Sequence, residues 1–124
     1  WARAESIVRD ALTTLLHSTG AEVTCSYRQG VPPVVNDAGA ADAAAAAARR
    51  VLGVDGVVEP PRSQGGDSFA WYQERVPGCY LRLGVHDPDR GDERLDLHSG
   101  AFDVDDRAIE IGVRVMVSLA MDRP

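Results

Sequence analysis

Two adjacent prolines, Pro32 and Pro33, constrain this chain more than any other pair of residues. Each ring fixes φ and removes a backbone donor, and a proline also drives the residue before it out of the helical region. Residues 28–36, with Gly30 just ahead of the pair, therefore read as a stiff extended connector and as the candidate domain boundary. One helix and one strand precede it. Val8, Ala11, Leu12, Leu15 and Leu16 recur at helical spacing within residues 3–18, and Gly20 is the expected stop. Ala21, Val23, Cys25 and Tyr27 then alternate with Glu22, Thr24 and Ser26, the period-two pattern of a strand with one dry and one wet face.

Beyond the connector, Asn36 or Asp37 can cap a helix that runs to about Leu52 and stops at Gly53. The alanines of residues 43–48 have high helix propensity and little side chain, which predicts a helix lying close against a neighbour. Val57 and Val58 read as a short buried strand, and residues 67–75 as a short helix whose Trp71 and Tyr72 belong to the core. After the Pro77-Gly78 turn, residues 79–85 read as a second strand. Residues 86–96 hold five acids and two arginines, the composition of a solvated loop. A final helix is expected from an Asp103 cap, with Asp106 three residues on. Its polar residues Arg107, Glu110, Arg114 and Ser118 form one narrow stripe, so the helix is expected to be covered on several sides. Strand, loop, helix, strand, loop, helix indicates an α/β layer.

The 124 residues correspond to about one small domain. Thirteen basic and nineteen acidic residues leave a net charge of −6, which removes the electrostatic case for nucleic acid or an anionic membrane as partner. No apolar run approaches the ~20 residues of a bilayer span and no signal-peptide pattern opens the chain, so the expected location is cytoplasmic. Trp1 is not a translation start, which implies a missing upstream part. Two cysteines cannot make a disulfide framework, and Cys25 and Cys79, each on the apolar side of a predicted strand, read as buried inert thiols. All thirteen basic residues are arginine, which excludes a lysine Schiff base or a P-loop lysine.

Chemistry has two candidate locations. His17 and His86 lie among polar residues and read as solvated, whereas His98 stands just ahead of the last helix with small residues after it. Loops entering a helix from a strand are where α/β folds hold ligands, so His98 is a metal ligand, an acid/base group or a plain loop histidine. One imidazole alone makes no metal site, which needs three or four ligands. Gly65, Gly66, Asp67 and Ser68 precede the short helix. They form either an anion-facing cradle of backbone N–H groups or a tight loop with Asp67 or Ser68 as cap.

Several motifs in series now carry a resemblance: Tyr27-Arg-Gln-Gly-Val-Pro-Pro-Val-Val-Asn36, Gln64-Gly-Gly-Asp-Ser-Phe-Ala-Trp-Tyr72, Val76-Pro-Gly78, Leu81-Arg-Leu-Gly84, Asp96-Leu-His98 and Phe102-Asp-Val-Asp-Asp-Arg-Ala-Ile109. Over nearly its whole length the chain resembles the C-terminal portion of an M20-type metallopeptidase, of the amidohydrolase branch that includes hippurate, N-acyl-amino-acid and auxin-conjugate hydrolases.

The resemblance implies the C-terminal part of a zinc-peptidase-like α/β catalytic domain, preceded by the last helix and strand of a two-layer α+β lid or dimerisation domain. Residues 1–30 would end the lid, residues 31–36 would form the hinge, and residues 37–124 would belong to the catalytic domain. His98 would supply one ligand to a site of two divalent metals, zinc or manganese. Gly65, Gly66, Asp67 and Ser68 would line the substrate pocket, although Asp67-Ser68 stands where the family more often has Glu-Asp. The remaining ligands and the general base would lie upstream, leaving no catalytic residue in this chain and little activity in it alone. The implied substrate is a small N-acyl amino acid or similar amide, with homo-oligomers formed through the lid. The alternative is a non-catalytic α/β interaction module or remnant that pairs through its half-sheet or its apolar final helix. An unpaired strand at residues 21–27 also predicts association of the isolated chain.

Overall fold

The computed structural model describes residues 1–91, 95 and 97–122. Four α-helices run in order: α1 (Ala4–Leu16), α2 (Ala38–Leu52), α3 (Phe69–Gln73) and α4 (Arg107–Met121), with short 3₁₀ turns at His17–Thr19, Val54–Gly56 and Pro88–Arg90. The chain divides into two compact units, Trp1–Val35 with Gln64–Val76, and Asn36–Ser63 with Pro77–Pro124.

In the first unit α1 begins and ends close to its expected bounds, and Gly20 takes the left-handed conformation (φ 68°) that stops it. Arg9 pairs with Glu5 one turn back at 2.8 Å and donates from Nη1 to the Cys25 carbonyl at 3.0 Å. No residue of α1 is buried. In α3 only Ala70 is buried, while Trp71 and Tyr72, expected in the core, are exposed. With so short a helix, the covered face is taken by Ala70 and the half-buried Phe69 and Gln73. Gln73 Oε1 in turn accepts from the Val35 amide at 3.0 Å, tying the extended connector to α3.

The second unit is built on α2 against α4. Asp37 caps α2, its Oδ1 accepting from the Ala40 amide at 2.9 Å, and Gly53 (φ 78°) ends it. Ala44 and Ala47 are fully covered, as the alanine run predicts, and they meet an α4 face that buries Ala108 and Val115. Small side chains at a helix contact let the axes approach toward the low end of the ~8–10 Å range. Arg50 clasps the far end of the pair: it bonds Asp122 at 2.8 Å and donates from Nε to Ser118 Oγ at 3.2 Å.

Two expectations for α4 need correction. It starts at Arg107, not behind an Asp103 cap, because Asp103 Oδ1 accepts from the next residue, Val104, and it is Asp105 Oδ1 that accepts the Arg107 amide at 2.9 Å. It is also covered on one side only, with Ile109, Val113, Met116 and Met121 exposed.

The α/β expectation is not met either: none of the described residues forms a strand. Residues 21–27 and 79–85 carry their alternation without regular secondary structure, and Val58 is exposed, not buried. A strand needs a ladder of partners, whereas alternation reports only which face is apolar. The Asn36 side chain bonds both backbone groups of Tyr80, its Oδ1 accepting from Tyr80 N at 2.8 Å and its Nδ2 donating to Tyr80 O at 3.1 Å, while Asp37 N donates to Gly78 O and Asp105 N to Val85 O.

Candidate functional site

His98 lies in the second unit, exposed, within the turn at residues 97–101 that leads toward α4. Ser99 shapes this turn twice, its Oγ accepting from Ala101 N at 3.1 Å and its carbonyl from Phe102 N at 3.0 Å. The small residues Gly100 and Ala101 after Ser99 permit so tight a fold, which suits the Ser-Gly-Ala run after the histidine. Asp96, quoted with His98 in the sequence motif, lies outside the described residues.

Around the base of this turn the charges interlock. Arg90 pairs with Asp103, and Arg107 pairs with Asp105 at 2.7 Å and Asp87 at 3.1 Å. The Arg107 side chain and backbone N–H both bond the Asp105 carboxylate, holding its pKa below the ordinary carboxylate value, and the same contact raises that of Arg107. His86 Nε2 lies 2.8 Å from the Gly91 carbonyl. A cavity of about 220 Å³ opens here, bordered by Val85, His86, Arg90, Leu95, Phe102 and Asp103. Ligand pockets usually run from ~300 Å³ upward, and the charged groups of this wall are engaged with one another. The cluster is suited to holding the loop in place.

The sequence pattern predicts a narrow polar stripe for Arg107 and a solvated loop for residues 86–96, and the structure joins Arg107 to Asp87 of that loop. The signal that could have found the network was Asp87-Pro-Asp-Arg90 facing Asp103-Val-Asp-Asp-Arg107, two short segments with matching charge order.

The glycine-rich loop belongs to the first unit. Asp67 Oδ1 accepts from Phe69 N at 2.8 Å, Asp67 O from Ala70 N and Ser68 O from Trp71 N, so the first amides of α3 are used within the loop. Gly66 is required by packing: a Cβ there would stand 2.5 Å from Val31 Cγ2. Cys25 and Cys79 are both free and only half-buried, less covered than expected. Burial still pushes the Cys79 thiol up, which favours its protonated form.

Among the described residues no three His, Cys, Asp or Glu side chains gather to hold a metal ion. Those donors therefore do not by themselves fit a metal centre. No helix among the described residues is long and apolar enough to cross a membrane.

Comparison with known proteins places these features. The chain is 43% identical over 119 residues to a putative glutamate–cysteine ligase of Rhodococcus jostii, covering 96% of this chain and 15% of that protein. It is 34% identical over 109 residues to a probable hydrolase of Synechocystis, covering 86% of this chain and 27% of the relative. Against the N-acetylcysteine deacetylase of Bacillus subtilis it is 33% identical over 102 residues, covering 82% and 25%. The chain thus spans less than a third of each of these relatives. No solved structure matches it. Residues 6–122 match the model of peptidase family M20/M25/M40, and the chain belongs to that family.

Proposed function

We propose that this chain is part of a metal-dependent amidohydrolase that cleaves the amide bond of an N-acyl amino acid or a similarly small amide. The family match over residues 6–122 carries this reading, and the likeness to a deacetylase and a probable hydrolase supports it. Residues 1–30 end a lid or dimerisation domain through which subunits pair, residues 31–36 are the hinge, and residues 37–124 belong to an α/β catalytic domain. Segments 21–27 and 79–85 become strands when the rest of the protein supplies their partners.

Members of the family generally depend on divalent metal. His98 donates one ligand to a two-metal centre of zinc or manganese, and its exposed position on a turn suits a ligand shared with residues outside the chain. Gly65, Gly66, Asp67 and Ser68 border the substrate. N-acetylcysteine is the first substrate to test, because one relative is named an N-acetylcysteine deacetylase. A non-catalytic interaction module is the second reading, favoured by the lack of a complete donor set among the described residues.

The two readings part on one assay of the full-length protein with N-acetylcysteine and hippurate. The hydrolase reading predicts release of the free amino acid, abolished by EDTA and restored by zinc or manganese. No release under any metal condition favours the interaction module.

A further inference from the structure

The second unit holds an ion network with a specific arrangement. The chain leaves along residues 85–91 and returns along residues 103–107, and three ties join these limbs. Asp105 N donates to Val85 O at 2.9 Å. Arg90 on the outgoing limb pairs with Asp103 on the returning one. Arg107 on the returning limb pairs with Asp87 on the outgoing one at 3.1 Å and reaches Asp89 at 3.9 Å. Each limb therefore carries both signs, and a shift of one limb along the other would bring like charges together. The turn bearing His98 feeds directly into Asp103 through Ala101 and Phe102, whose amides both bond Ser99.

We propose that the crossed pairs Arg90–Asp103 and Arg107–Asp87 form a neck that fixes the His98 turn, and that Arg107 is a positioning residue for His98. The functional half of this inference rests on the reading of His98 given above; the structural half does not. Arg107 suits the task because its Nε lies 2.8 Å from both Asp105 oxygens while its Nη2 reaches Asp87. A planar guanidinium can serve both carboxylates at once, which an ammonium point charge cannot. The pairs are exposed, so each contributes little to global stability, and their effect belongs to the loop they close.

Residue-resolved hydrogen exchange on the full-length protein tests the neck without reference to activity. Arg107→Ala should speed exchange of the Ala101 and Phe102 amides about three- to fivefold, the scale of one exposed ion pair, and leave Ala44 and Ala47 in α2 unchanged. Arg107→Lys should recover part of the protection. Arg90→Asp combined with Asp103→Arg should restore what either change alone disturbs. In amide hydrolysis Arg107→Ala should lower kcat by a similar factor with little change in KM, and Arg107→Lys should recover part of it. Unchanged exchange at Ala101 and Phe102, or an equal rise throughout α2, overturns the neck. Faster exchange with unaltered hydrolysis overturns the positioning role. Hydrolysis that survives His98→Ala overturns the ligand reading of His98 alone, and the exchange result still decides the neck.

Discussion

Helices α1 and α4 both announce an apolar stripe in the sequence, and the structure treats them differently. α4, packed on α2, buries Ala108 and Val115, whereas α1, with Val8, Leu12, Leu15 and Leu16 at the same spacing, leaves Val8 and Leu15 exposed and only half-buries Leu12 and Leu16. A hydrophobic period states which face of a helix is favoured for burial; whether a partner is present is a separate fact. Even on α4 the rule holds by halves, since Ile109, Val113 and Met116 on its other faces remain exposed. The contrast is between a helix face closed by a neighbour in the same unit and apolar faces left open among the described residues.

Substitution should break this contrast most visibly at Ala47, which has no exposed surface. Ala47→Leu forces extra methylenes into the α2–α4 contact and should cost about 1–3 kcal/mol in urea unfolding. Leu15→Ala on α1 should change stability by under ~0.5 kcal/mol, because that side chain is 71% exposed. A Leu15→Ala loss as large as that at Ala47 would mean that α1 has a partner in solution.

A smaller effect sharpens the electrostatic side of the comparison. The folded pKa of Asp105 lies below its unfolded value, chiefly because the Arg107 side chain bonds the carboxylate. Its contribution is therefore complete above the ordinary carboxylate value of ~4 and is lost as pH falls through the lower folded value. Urea melts across that acid range should show this limb in the wild type and not in Arg107→Ala.

Local chemistry was the legible part of the sequence. The Asp37 cap, the Gly20 and Gly53 stops and the tight alanine contact follow from propensities that act within a few residues. What failed was the strand pairing, which needs a distant partner. Residues 21–27 and 79–85 have the alternation of strands but form no ladder among the described residues, and it is the Asn36 side chain, not a neighbouring strand, that bonds the N–H and C=O of Tyr80. α4 starts at Arg107 and not behind Asp103 because Asp103 Oδ1 is taken by the Val104 amide and Asp105 Oδ1 accepts the Arg107 amide, a choice among neighbouring aspartates that the sequence alone leaves open. His98 was legible as a candidate from its place before the last helix, and the motif order supplied the family. The neck beneath it was not legible, because charge-rich loops ordinarily read as solvated.

Metal analysis of the full-length protein, wild type beside His98→Ala, tests the central claim most directly. The account predicts that the wild type holds tightly bound divalent metal and that His98→Ala loses at least one equivalent, together with hydrolysis, while the α2–α4 unit melts as before. Equal metal content and equal hydrolysis in the two proteins would contradict it.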